Sequence, residues 1–368
     1  MKNIQHPSAY LKAEWIKIIR QNAVAAEKSG SLTTEQLDLS YREGWFKLFV
    51  PKEFTGLEIS LTEALKLEEA LSWADGSFGW TITLCSGAGW FGGFLDKPFA
   101  ETIFTDRKVC FGGSGAPTGT ATATDGGYRI NGKWKYATGA THLTHFTANC
   151  LIKKGTETVL DESENPLILP FVFNRDEVEI TSDWNTTGLI ATSSHSFSVS
   201  NLDISKERCM KTDSEKAVTA NPIYNYPFLQ FAESTLAANI SGMAINFIDH
   251  CQDIFVNRIE HKKLKEHQQK VLIESLAEAK NKINESRQDF YYATERSWAF
   301  FTDRKHATAQ SLEEVSLTSR NLASIARQQV DELYPLCGLI AADPKSEINR
   351  IWRDIHTASQ HTLLALPY

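Results

Sequence analysis

The 368-residue chain has six cysteines, and no two of them stand in a C-x-x-C spacing. Cys85, Cys110, Cys150, Cys209, Cys251 and Cys337 are scattered singly, with no histidine at ligand spacing. The sequence signatures of a zinc site and of a disulfide framework are therefore missing, no metal is expected, and the cysteines read as buried free thiols. No apolar run reaches membrane-spanning length, and MKNIQHPSAYLKAEW has no apolar stretch of signal-peptide type. A cytoplasmic protein with no membrane partner is expected. The net charge of −7 is not gathered into blocks of one sign, which argues against nucleic acid as a partner. A small-molecule substrate is the better expectation.

What is present falls into three regions of different periodicity. To about residue 106 the pattern is helical: Leu11, Trp15, Ile18 and Ile19 mark one apolar face, and Ser60 to Glu63 form a capping box opening a helix through Leu71. Asp75-Gly76-Ser77 interrupts it. The following apolar segment, Phe78 to Phe94, carries Ser86, Gly87, Ala88 and Gly89, small residues that allow close packing. From about 107 to 215 short strands alternate with turn signals, which predicts a β-sandwich or barrel. From 216 to 368 the helical period returns over long stretches, as in Leu236, Ile240, Met243, Phe247 and Cys251, and four such stretches predict an antiparallel four-helix bundle. The fold class is thus α+β and multidomain, with domains at 1–106, 107–215 and 216–368.

The richest stretch runs from Cys110 to His145. Thr118, Thr120, Thr122 and Thr124 alternate with Gly119, Ala121 and Ala123, so hydroxyls share one strand face and small residues the other. Asp125-Gly126-Gly127 accepts positive φ and leads into a second strand, Tyr128 to Tyr136, which completes a hairpin. Before it, Gly112, Gly113 and Gly115 let a backbone approach something flat or anionic, with Ser114 beside them as a donor. A Gly-rich strand end in an ordinary β domain would read the same way.

The order of the three regions, together with several motifs, resembles the acyl-CoA dehydrogenase superfamily of flavoproteins. The matching residues are Trp45 to Gly56 (WFKLFVPKEFTG), Glu68 and Glu69, the Asp75 turn, Gly132 to Gly139 (GKWKYATG), Trp184 with Gly188-Leu189, and Pro335 to Gly338 followed by Arg353-Asp354. The resemblance implies bound FMN or FAD. Tyr136 would cover a ring face, Thr138 would donate near N5, and Ser114 would meet the pyrimidine side. It also implies a homodimer or homotetramer.

Dehydrogenases of the superfamily carry a carboxylate base after the Arg-Asp pair, and no carboxylate follows Asp354 here. The tail from Trp352 to His361 instead resembles the two-component flavin monooxygenases, in which a separate flavin reductase supplies reduced flavin and a histidine near the chain end assists the chemistry. That resemblance makes His361 the candidate catalytic residue, with His356 the runner-up. Imidazole suits the role because it can take and return a proton near neutrality. Five residues apart, the two histidines share no helix face. His142 matches a position near the flavin in that branch, although a loop-capping role is equally compatible. Trp80 is placed over the substrate cavity or in the core, and Ala88 stands where some hydroxylases carry histidine. An acyl-CoA dehydrogenase with a relocated base, or a binding protein that has lost the flavin, are the competing readings.

Overall fold

The computed structural model describes residues 4–210, 212 and 217–365. Helices α1 (Ala13–Ser29), α2 (Thr34–Arg42), α3 (Leu61–Ala74), α4 (Gly76–Gly89) and α5 (Lys97–Phe104) come first. The capping box of α3 forms as read, Ser60 accepting from the Glu63 N–H while Glu63 accepts from the Ser60 N–H. The Asp75 turn is the joint between α3 and α4: its carboxylate accepts the Phe78 N–H at 2.9 Å and starts the second helix. The two helices touch at backbone level, since a Cβ at Gly79 would lie 2.4 Å from Ser72 Cα. Close packing is what the small residues of this segment predict.

Seven strands follow: β1 (Phe111–Ala123), β2 (Gly127–Ala137), β3 (His145–Lys154), β4 (Glu157–Thr158), β5 (Ile168–Asn174), β6 (Glu179–Thr181) and β7 (His195–Ser205). They join into one sheet in the order β4-β3-β1-β2-β7-β6, with β5 also paired to β3. Among the described residues the strands of the expected β region form one continuous hydrogen-bonded ladder. β1 and β2 form the expected hairpin, with Ala123 opposite Tyr128. Gly119 and Ala121 are buried as the alternation requires, and a Cβ at Gly119 would lie 2.1 Å from the Trp134 ring. The glycine-rich stretch from Gly112 to Gly115 and the Thr118 to Ala123 alternation belong to one strand, β1, whose register against β3 shifts between Ser114 and Gly119. Pro117, with no N–H for the ladder, lies within that irregular stretch.

The remainder is helical: α6 (Phe228–His261), α7 (Glu266–Arg304), α8 (Ala309–Cys337), α9 (Leu339–Ala342), α10 (Glu347–Ala358) and α11 (Thr362–Ala365). α6 is the hub, touching α3, α4, α7, α8 and α10. Its residues Leu236, Ile240, Met243, Phe247 and Cys251 are buried, as the periodicity predicts. No described helix is long and apolar enough to cross a membrane. The expected boundary between 106 and 107 falls in the connection from α5 to β1. The one between 215 and 216 lies outside the described residues.

Candidate active site

A cavity of about 260 Å³ lies where α4, the sheet, α6 and the chain end converge. α4 contributes Thr83, Leu84, Gly87 and Ala88, and Phe91 follows directly after it. From the sheet come Gly112 to Gly115, Thr138 and Thr147 to Asn149. α6 turns Phe228, Phe231, Ala232, Thr235 and Leu236 toward it, residues three and four apart that share one helix face. His361 and Leu363 close the tail side. Among these described lining residues His361 is the one ionisable side chain, and none is a carboxylate.

His361 does not sit on a helix. α10 ends at Ala358 and α11 begins at Thr362, so the residue lies in the break, its N–H bonded to the Ala358 carbonyl at 3.1 Å. That break separates the two tail histidines. His356 stays on α10, where its ring meets the Trp352 carbonyl at 2.7 Å and Asp331 at 2.8 Å, and does not line the cavity. The Nδ1 of His361 accepts a long hydrogen bond, 3.4 Å, from the Leu363 N–H, which favours the neutral ring protonated at Nε2. Burial holds its pKa below the ordinary imidazole value, because the charged form loses solvation there. Trp80 packs against it with ring centroids 6.1 Å apart, so it backs the histidine and is not a cavity wall.

Two motifs far apart in the sequence fix this tail. Asp354 accepts the Leu189 N–H at 2.5 Å, and Thr357 accepts the Gly188 N–H at 3.1 Å. Arg353 donates to the Thr187 carbonyl at 2.7 Å and pairs with Glu27 at 2.6 Å. A Cβ at Gly188 would fall 2.0 Å from the Arg353 carbonyl oxygen, so glycine permits this approach. Burial, and next the charge of Asp75, push the Asp354 carboxyl up to about 7.

The other sequence candidates separate. Ser114 and Thr138 line the cavity, and the Thr138 hydroxyl bonds that of Ser194 at 3.0 Å. Tyr136, two residues earlier, does not line it; its ring is 68% exposed and stands edge-on to Trp184, with its backbone at a φ of 67°. His142 is also absent from the lining. It lies beside Gly139 with Cys85 and Cys110, tilted on Phe46 at 5.6 Å. The aromatic wall of Phe91, Phe228 and Phe231 carries no signal of its own in the sequence, because apolar residues at helical spacing read as ordinary core.

Residues 234–365 match the family model described as "Acyl-CoA dehydrogenase, C-terminal domain". The crystal structure of the HsaA monooxygenase from M. tuberculosis has the same fold, with a TM-score of 0.86 at 22% identity over 99% of this chain and 94% of that one. The chain thus resembles the acyl-CoA dehydrogenase superfamily, by that family model over its C-terminal helices and by its fold over nearly its whole length. An indole-3-acetate monooxygenase of Pseudomonas putida is 24% identical over 92% of this chain and 85% of its own length. The oxygenase subunit HsaA of a Mycobacterium tuberculosis flavin-dependent monooxygenase is 25% identical over 93% of this chain and 88% of its own. The superfamily resemblance drawn from the sequence is borne out, and so is the likeness to its monooxygenases.

Proposed function

We propose that this protein is the oxygenase component of a two-component flavin-dependent monooxygenase, taking reduced FMN or FAD from a separate reductase and inserting oxygen into a small, uncharged aromatic substrate. The observation that carries the reading is the cavity without a carboxylate, in which His361 is the one ionisable side chain among the described lining residues. α-Proton removal from an acyl thioester has no carboxylate base there. The names of the relatives support a monooxygenase, although the indole-3-acetate in one of them is an anion.

The residues fit a flavin. Glycines at 112, 113 and 115 keep one wall at backbone level, Ser114 and Thr138 add hydroxyls, and beside Thr138 the strained strand end holds out the exposed Tyr136 ring. When bound, the flavin supplies the activation of oxygen. The wall of Phe91, Phe228 and Phe231 would exclude water and orient an aromatic ring, and His361 would take or return a proton at the substrate. Three domains with the limits given above, the last a four-helix bundle, and a homodimer or homotetramer complete this reading.

His361→Ala tests it. Flavin binding is expected to persist while product formed per oxygen consumed falls by about 10²-fold; unchanged coupling removes His361 from the chemistry. Because the histidine pKa is lowered, the ring is neutral at pH 7, and the wild-type rate should fall only as pH drops through a value below about 6.5. The variant should lack that acid limb. Anaerobic reduction of the bound oxidised flavin by an acyl-CoA would overturn the monooxygenase reading altogether.

A further inference from the structure

We propose that Cys85, Cys110 and His142 form a binding site for a thiophilic metal ion, Zn²⁺ or Cu⁺, built behind the cavity wall. The three side chains come from α4, from the residue before β1 and from the turn after β2, and one ligand atom of each lies within 4.8 Å of the others. The ligands of a tetrahedral Zn²⁺ stand roughly 3.5–3.8 Å apart, so small side-chain rotations close the set. Both thiols are buried. Both ring nitrogens of His142 are shielded from solvent, and the ring meets no polar group more strongly than the Cys85 thiol beside it. An imidazole so placed is costly unless something takes its lone pair.

The contacts of the thiols to backbone carbonyls are long, Cys85 to Thr138 at 3.7 Å and Cys110 to Phe111 at 3.9 Å, and the Cys85 thiol also meets Cys110 and the His142 ring. The Thr138 carbonyl is an oxygen at hand for a fourth position. Binding would displace one proton from each thiol and use one imidazole lone pair, with no change of oxidation state. The sequence hides this site because its ligands share no local spacing. An ion there would tie α4 to the sheet directly beside Thr138, so its function would be to hold that cavity wall.

The test uses the full-length, reduced, flavin-free protein, equilibrated with Zn²⁺ or in a parallel arm with Cu⁺, gel-filtered, and assayed for metal per chain by plasma mass spectrometry. About one ion per chain is expected for the wild type in at least one arm, with a melting temperature raised by the ion. Cys110→Ser and His142→Gln should each lose most of it. Cys251→Ser should retain it, although Cys251 lies in the protein's other buried thiol pair, 3.4 Å from Cys337 and without a histidine ligand. Co²⁺ added to the wild type should give thiolate charge-transfer absorption that His142→Gln alters, a readout that survives if Cys110→Ser does not fold. No retained ion in either arm, or equal stoichiometry in wild type and His142→Gln, overturns the site.

Discussion

Two faces of α6 handle polar groups in opposite ways. Toward the cavity the helix turns Phe228, Phe231, Ala232, Thr235 and Leu236, and no charge. Toward its helical neighbours it turns Gln230, Glu233 and Ser241, all buried. Glu233 accepts from Arg320 at 2.6 Å and also from Ser316. Ser241 donates at 2.6 Å to Glu69, whose carboxylate is gripped by Arg287 through two bonds of 2.8 Å and by the Tyr291 hydroxyl at 2.9 Å. Along α6, Glu233 and the Glu69 that the helix faces are thus held where they are partnered, and the cavity side of the helix carries no charge. The solitary imidazole of His361 consequently works without a neighbouring charge among the lining residues, and desolvation alone sets the direction of its pKa.

The comparison breaks most severely at Arg287. Replacing it with Met leaves the buried Glu69 side chain without its counter-charge, which should cost about 3–5 kcal/mol of stability. Denaturant melts would show it, and adding Glu69→Gln should restore much of the loss. A cost below about 1 kcal/mol would mean that the pair is as dispensable as a surface salt bridge.

On the cavity side, Ala88→Leu should leave stability nearly unchanged, since Ala88 lines the cavity and the larger side chain can extend into it. The added carbons would occupy substrate volume and raise KM about tenfold, near 1.4 kcal/mol, with flavin affinity retained. Equal KM for both proteins would move the substrate away from α4.

How legible each side is in the sequence follows from the same contrast. Helix periodicity announces the buried stripe of α6, because tertiary packing and the 3.6-residue repeat agree there. The hairpin from Thr118 to Tyr136 is equally plain, since its turn chemistry and alternation are local. The cavity is not. Phe91, Phe228 and Phe231 look like core until the fold leaves space between them. His361 reads as helical because nothing near Ser359 signals a break, and that break is what separates it from His356. His142 and the two cysteines beside it are separated by long stretches of chain, and only the meeting of α4 with the sheet brings them together. Local patterns report elements; the site depends on how the elements meet.

The most gradual effect concerns the joint that carries the tail. Asp354 is buried beside Asp75, and its carboxyl is pushed up to about 7, mainly by burial and then by that neighbouring charge. In the unfolded chain an aspartate titrates near 3.9. A raised folded-state pKa favours the fold most below the unfolded value, and that advantage drains away as pH rises toward 7. Wild-type stability should therefore carry a falling component of about 1 kcal/mol per pH unit between pH 5 and 7. Asp354→Asn keeps an oxygen for the Leu189 N–H and does not titrate, so its stability profile should be flatter across that window, with the two proteins diverging as pH increases. Parallel profiles would show that Asp354 is ionised throughout, and that Arg350, 3.8 Å from Asp75, screens the pair more strongly than burial separates it from solvent.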